Sequence, residues 1–211
     1  MKRLALIATC LLAVVVVSPG IAQPVEGRDY VLVQPPQPTN DANHIVVTEF
    51  FSYQCPHCFA FSSVLNEWVS RLPADTVFDR VPVSIGYATW APIARAYYAL
   101  QMMGKLEALD AAIFRAIHVQ RVPLADEAAI ATWVSAQGVN RDEFTSTYRS
   151  FSVNTFATRA EQTSRTYRIP SVPTLAVDGK YLVRISDDGE FTRQLAIVDA
   201  LIEKARAEKA R

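Results

Sequence analysis

The chain is poor in the thiols and imidazoles that hold zinc. Its 211 residues include three cysteines and three histidines. Cys10 lies within an apolar stretch near the N-terminus, which leaves Cys55 and Cys58 with His44, His57 and His118. There is no second C-x-x-C and no H-x-x-H, whereas a zinc site takes about four ligands. An excess of one charge is missing too. The 21 basic side chains match 21 acidic ones, and no Lys/Arg-rich tract occurs, so the electrostatic footprint of a nucleic-acid binder is absent. Internal repeats and low-complexity segments are also lacking. The apolar run Leu4 to Val17 is only about 14 residues long, too short for a comfortable membrane span.

That run has the layout of a secretion signal. Lys2 and Arg3 precede it, Ser18-Pro19-Gly20 break it, and Gly20-Ile21-Ala22 places small residues where a signal peptidase reads. The expected signal peptide is 1–22, with cleavage after Ala22. An uncleaved anchor fits the length less well, and Thr9 before Cys10 is wrong for a lipid-attachment box. Cleavage removes Cys10 and two basic residues, which leaves a slight acidic excess and Cys55/Cys58 as the only thiols. The compartment is then extracytoplasmic, where disulfides persist.

Half of the residues are hydrophobic, enough to build one or two packed domains. "DYVLV" (29–33) reads as a short strand and "QPPQPTNDAN" (34–43) as a turn-rich connector. "HIVVTEFFS" (44–52) is a β-branched and aromatic run without alternation, the pattern of a strand buried on both faces. "CFAFSSVLNEWVSRL" (58–72) has helical spacing, and "TVFDRVPVSI" (76–85) reads as a second buried strand. The two cysteines therefore sit where a strand turns into a helix, inside a βαβ unit.

From 91 to 168 strand character nearly vanishes. Helices are expected over 91–103, 105–118, 126–138, 141–151 and 153–168, with Asp126 as an N-cap. Trp90, Tyr97 and Trp133 read as core of this block, and His118 as a surface residue at a helix end. Strands return with "PTLAV" (173–177) and "KYLVRI" (180–185) around the turn Asp178-Gly179. A final helix is expected over 192–209.

The Cys55/Cys58 pair admits three readings: a metal clip, a structural staple, or a thiol pair that does chemistry. The ligand count speaks against the first. A staple gains stability from the loop it closes, and this pair closes almost none. "EFFSYQCPHC" (49–58), "SVPTLAVDGKY" (171–181) and the helical block between the two parts of the sheet resemble the DsbA family of the thioredoxin superfamily.

The resemblance implies an α/β protein, a thioredoxin fold with an inserted all-helical domain. The division would be 23–86 and 169–211 for the thioredoxin-like domain and 87–168 for the insertion. It implies a periplasmic monomer without cofactor or metal that donates the Cys55–Cys58 disulfide to reduced cysteines of unfolded secreted proteins. A DsbB-like membrane protein would reoxidise it by passing electrons to quinone. Two other functions stand beside this one. They are a disulfide isomerase or reductase on the same fold, and a redox-inert, chaperone-like peptide binder.

Specific roles follow for individual residues. Cys55 in the first helical turn would face unpaired backbone N–H groups and the positive helix end, which favours its thiolate. Pro56 suits that turn because its missing N–H has no helical partner there. His57 adds a donor or a positive charge, and Cys58, one turn in, is the resolving thiol. Pro173 matches the family's cis-proline, with Pro170 as the competing position, and the Val172 backbone would meet an extended substrate. Glu49 is either an outward-facing acid at a strand end or a carboxylate buried beneath the pair that relays protons for Cys58. Burial demands a partner, and Arg80 in the neighbouring strand is the one expected.

Overall fold

A computed structural model describes residues 23–185 and 190–210, so the expected signal peptide lies outside the described residues. Five strands form one sheet in the order β1-β5-β4-β2-β3: β1 Val31–Leu32, β2 Ile45–Phe51, β3 Thr76–Pro82, β4 Thr174–Val177 and β5 Tyr181–Arg184. The β2–β3 pairing is parallel and the other pairings are antiparallel. Helix α1 (Pro56–Val69) makes the crossover between the parallel strands, and α7 (Phe191–Lys209) closes the chain. Between β3 and β4 run a short 3-10 turn, Ala88–Trp90, and five α-helices: α2 Ala91–Met102, α3 Leu106–His118, α4 Glu127–Ala136, α5 Arg141–Tyr148 and α6 Phe151–Thr166. This is a thioredoxin-like mixed sheet carrying an inserted all-helical unit.

The central strand is as buried as its composition demands. Every β2 residue except Thr48 is buried, because other elements cover the sheet on both faces. Ile45 and Val47 join Phe61, Leu65 and Trp68 of α1 and Leu195, Val198, Leu201 and Ile202 of α7 in one apolar cluster. A second cluster runs from Phe50 and Phe51 through Cys55 and Cys58 into the inserted helices, reaching Tyr97, Ile113, Phe114, Ile130 and Phe144. Each such side chain, fully buried, contributes about 1.5–3 kcal/mol. Tyr97 is buried as expected, while Trp90 and Trp133 are half-buried and pack against the cluster's margin.

Local chemistry sets the element ends. α1 begins at Pro56, two residues before the apolar periodicity, because proline is preorganised for the first helical position. β3 stops at Pro82, short of the expected residue 85; Ile85 and Gly86 have positive φ and turn the chain. Asp126 caps α4 as anticipated, accepting from the Ala129 N–H at 2.9 Å. The boundary between α5 and α6 falls earlier than its sequence pattern suggests, because Ser150 caps α6 by accepting from the Val153 N–H. In the β4–β5 hairpin, Asp178 and Gly179 both have positive φ, the geometry of a type I′ turn. A Cβ on Gly179 would lie 1.9 Å from the Gln37 carbonyl oxygen, so glycine is required there.

Candidate active site: two thiols at a helix N-terminus

The buried β2 strand delivers the chain to the start of α1, and Cys55 is the α1 N-cap in extended conformation. It therefore stands one position before the helical turn expected for it, with Pro56 as the first helical residue. Both cysteines are present as thiols and both are buried, while Pro56 and His57 are exposed. The Cys55 thiol is pulled down to about 6. A hydrogen bond from the Cys58 thiol is the largest single cause, helped by the Cys58 and His57 backbone N–H groups and the His57 charge. Those N–H groups are available because the first turn of a helix leaves its donors unpaired. Burial opposes the shift without overcoming it. Cys58 moves the opposite way: burial, its hydrogen bond to Cys55 and the charges of Cys55 and Glu49 all raise it. Adjacent in space, the two thiols are made chemically unequal.

The loop before β4 packs against Cys55. The Cys55 sulfur lies 3.4 Å from the Val172 carbonyl oxygen. Among the described residues the cis peptide bonds are Gln34–Pro35 and Val172–Pro173, so Pro173 and not Pro170 has the cis geometry.

Glu49 is buried, with 1% of its surface exposed. It lies in register with Arg80 of β3 on one side and Leu175 of β4 on the other. The Arg80 Nε donates to Glu49 Oε2 at 2.7 Å, so the expected partner is in place. Burial nevertheless raises the Glu49 carboxyl, against the pull of Arg80, and a further charge at Asp110 adds to the rise.

Three features of the site lie beyond the sequence reading. Asp110 of α3 accepts from Arg80 Nη1 at 2.8 Å and from the Tyr53 hydroxyl. Its only sequence signal is an acid set in the apolar stripe Leu106, Leu109, Ile113, Phe114. Gln54 donates from its side chain to the Leu124 carbonyl at 3.2 Å, which ties the residue before Cys55 to the loop before α4. The third feature corrects the reading of His118. It ends a helix, as expected, but it is half-buried: its Nε2 is 2.8 Å from the Tyr53 carbonyl oxygen and its ring stacks on Phe59 at 5.0 Å. Burial holds its proton affinity below that of an ordinary histidine. Both ends of Tyr53 are thus gripped by α3.

Residues 89–195 match the model of the DSBA-like thioredoxin domain, a stretch that begins beyond the cysteines. Over 202 residues the chain is 34% identical to the thiol:disulfide interchange protein DsbA of Bordetella parapertussis, covering 95% of this chain and 96% of that protein. The chain belongs to the DsbA family. The DsbA of Pseudomonas syringae pv. tomato is 36% identical over 187 residues, 88% of this chain and 87% of its own length. Among solved DsbA structures, that of Pseudomonas aeruginosa superposes with a TM-score of 0.82 at 34% identity, covering 88% of this chain and 96% of that one. Reduced DsbA1 from Neisseria meningitidis gives 0.78 at 26% identity, with coverages of 90% and 99%. The protein is a DsbA-like thiol:disulfide oxidoreductase, and its Cys55–Cys58 pair occupies the position at which such enzymes exchange disulfides.

Proposed function

We propose that this DsbA-family protein is an oxidant of protein thiols. The observation that carries this reading is the inequality of the two cysteines. A client thiolate attacks the Cys55 sulfur of the oxidised protein, the Cys55–Cys58 bond breaks, and a client–Cys55 disulfide forms. Cys58 leaves as a thiolate and takes a proton, for which Glu49 is the buried donor. A second client thiolate then attacks the client sulfur, and Cys55 departs as the thiolate that the helix N-terminus stabilises. The client gains a disulfide and the enzyme is reduced by two electrons. Because only the reduced form gains from the stabilised thiolate, the equilibrium favours donation. In this scheme Pro56 and His57 shape the thiolate site, and Val172 and Pro173 form the loop that receives an extended client segment.

The same reading places the mature chain in the periplasm after loss of 1–22, working as a monomer on unfolded secreted proteins. Residues 23–86 and 169–211 serve as the redox domain, with 87–168 as the insertion. A DsbB-like quinone reductase of the membrane restores the disulfide. The test is the reduction potential of Cys55/Cys58 against glutathione, with the rate at which the oxidised protein oxidises a dithiol peptide. A potential more oxidising than glutathione is expected. One as reducing as a typical structural disulfide would overturn the reading.

A further inference from the structure

Arg80 is one cation serving two carboxylates. It approaches Glu49 through Nε at 2.7 Å and Asp110 through Nη1 at 2.8 Å, and its guanidinium lies 3.8 Å from the centre of the Phe51 ring. Side-chain exposures of 15% for Arg80, 1% for Glu49 and 18% for Asp110 keep the cluster out of bulk solvent. Asp110 belongs to the inserted helices, Glu49 and Arg80 to the sheet, and Tyr53 joins them from the loop that leads to Cys55.

We propose that Asp110 is a positioning residue for the thiol chemistry: it divides the Arg80 guanidinium between itself and Glu49, and so sets how readily Glu49 gives a proton to Cys58 or takes one back. The proposal rests on the proton-donor role given to Glu49 above. With both acids ionised the three-residue cluster carries one net negative charge in a poorly hydrated setting. That arrangement favours one retained proton, as paired carboxylates do. Glu49 is the more buried of the two, and burial raises its proton affinity. The groups facing Glu49 are Arg80 from β3, Asp110 from α3, Tyr53 from the loop after β2, Cys58 from α1 and Tyr97 from α2. From β4 the residue opposite is the apolar Leu175. Burial and the Asp110 charge push the Tyr53 hydroxyl well above the ordinary tyrosine range, so it stays a donor and holds Asp110 in place. Through Asp110 the inserted helices thereby act on the redox pair electrostatically.

Titration of the Glu49 carboxyl by carbon-13 NMR in the oxidised full-length mature protein tests this, alongside the pH profile of dithiol oxidation. Asp110→Asn keeps the shape and the acceptor oxygen but removes the charge. It is expected to lower the Glu49 midpoint by roughly one pH unit and shift the rate profile the same way. Tyr53→Phe frees Asp110 to lean on Arg80 alone and is expected to raise the midpoint. Opposite shifts separate charge sharing from general loosening. Unchanged midpoints, or shifts in one direction only, would overturn the proposal even if urea midpoints fall. Glu49→Gln checks the underlying role separately: if it leaves the rate profile untouched, the proton-donor reading fails first.

Discussion

The sulfur of Cys55 and the carbonyl oxygen of Val172 lie 3.4 Å apart although 117 positions separate them in the chain. When Cys55 is protonated, its S–H can donate to that carbonyl. The contact places the Val172–Pro173 loop directly against the more acidic of the two thiols. In the proposed function, a client held on Cys55 by a disulfide would run past this backbone.

The first prediction concerns the division of labour in the pair. Cys55→Ser is expected to abolish dithiol oxidation. Cys58→Ser is expected to accumulate client–Cys55 mixed disulfides, visible by non-reducing electrophoresis. Equal accumulation by both variants would remove the assignment.

The order of influences on Cys55 gives a second. The hydrogen bond from Cys58 ranks first in lowering the Cys55 thiol, and the His57 charge ranks below the backbone donors. Cys58→Ala should therefore raise the Cys55 pKa more than His57→Ser does. Ultraviolet thiolate absorbance against pH measures both; the reverse order would mean that His57, not Cys58, controls the nucleophile.

A third follows for stability. The folded Cys55 value of about 6 lies below the unfolded thiol value of about 8.5. A depressed acid stabilises the folded state fully above the unfolded value, and that stabilisation is lost as pH falls through the folded one. At pH 7, one unit above the folded value, about 1.4 kcal/mol is present. The oxidised protein has no thiolate and gains none of it. The short loop adds little cross-link entropy to the oxidised side. Urea midpoints should thus show the reduced form more stable at neutral pH, with the gap closing near pH 5. An oxidised form as stable as the reduced one at pH 7 contradicts a stabilised thiolate.

The fourth concerns Arg80. Arg80→Leu leaves two carboxylates without their cation, and breaking a buried pair on one side costs about 3–5 kcal/mol. The loss should shrink in acid, where Glu49 is protonated and needs no counter-ion. Adding Glu49→Gln should restore part of the lost stability at neutral pH. Denaturation of the single and double variants checks this, and a loss independent of pH would argue that Arg80 acts only by packing on Phe51.

Much of the site can be read from short-range chemistry. Cys55-Pro56-His57-Cys58 after a two-faced apolar strand already places a thiol at a helix start, because strand burial and a proline's preference for the first helical position are local properties. Asp178-Gly179 specifies its turn for the same reason, and Glu49 is conspicuous as the one acid in an apolar strand. Its partner Arg80 is within reach as a basic residue of the neighbouring strand, at a position where the family resemblance implies one. Val172 and Pro173 are singled out only through the family resemblance. Asp110 and His118 are different. Each contacts the segment 49–58 from far along the chain, and each looks ordinary in its own neighbourhood: an acid on a helix, a histidine at a helix end. Their contacts depend on how α3 packs against the start of α1. Side-chain packing between remote elements sets those distances, and no periodicity or spacing in the sequence encodes them.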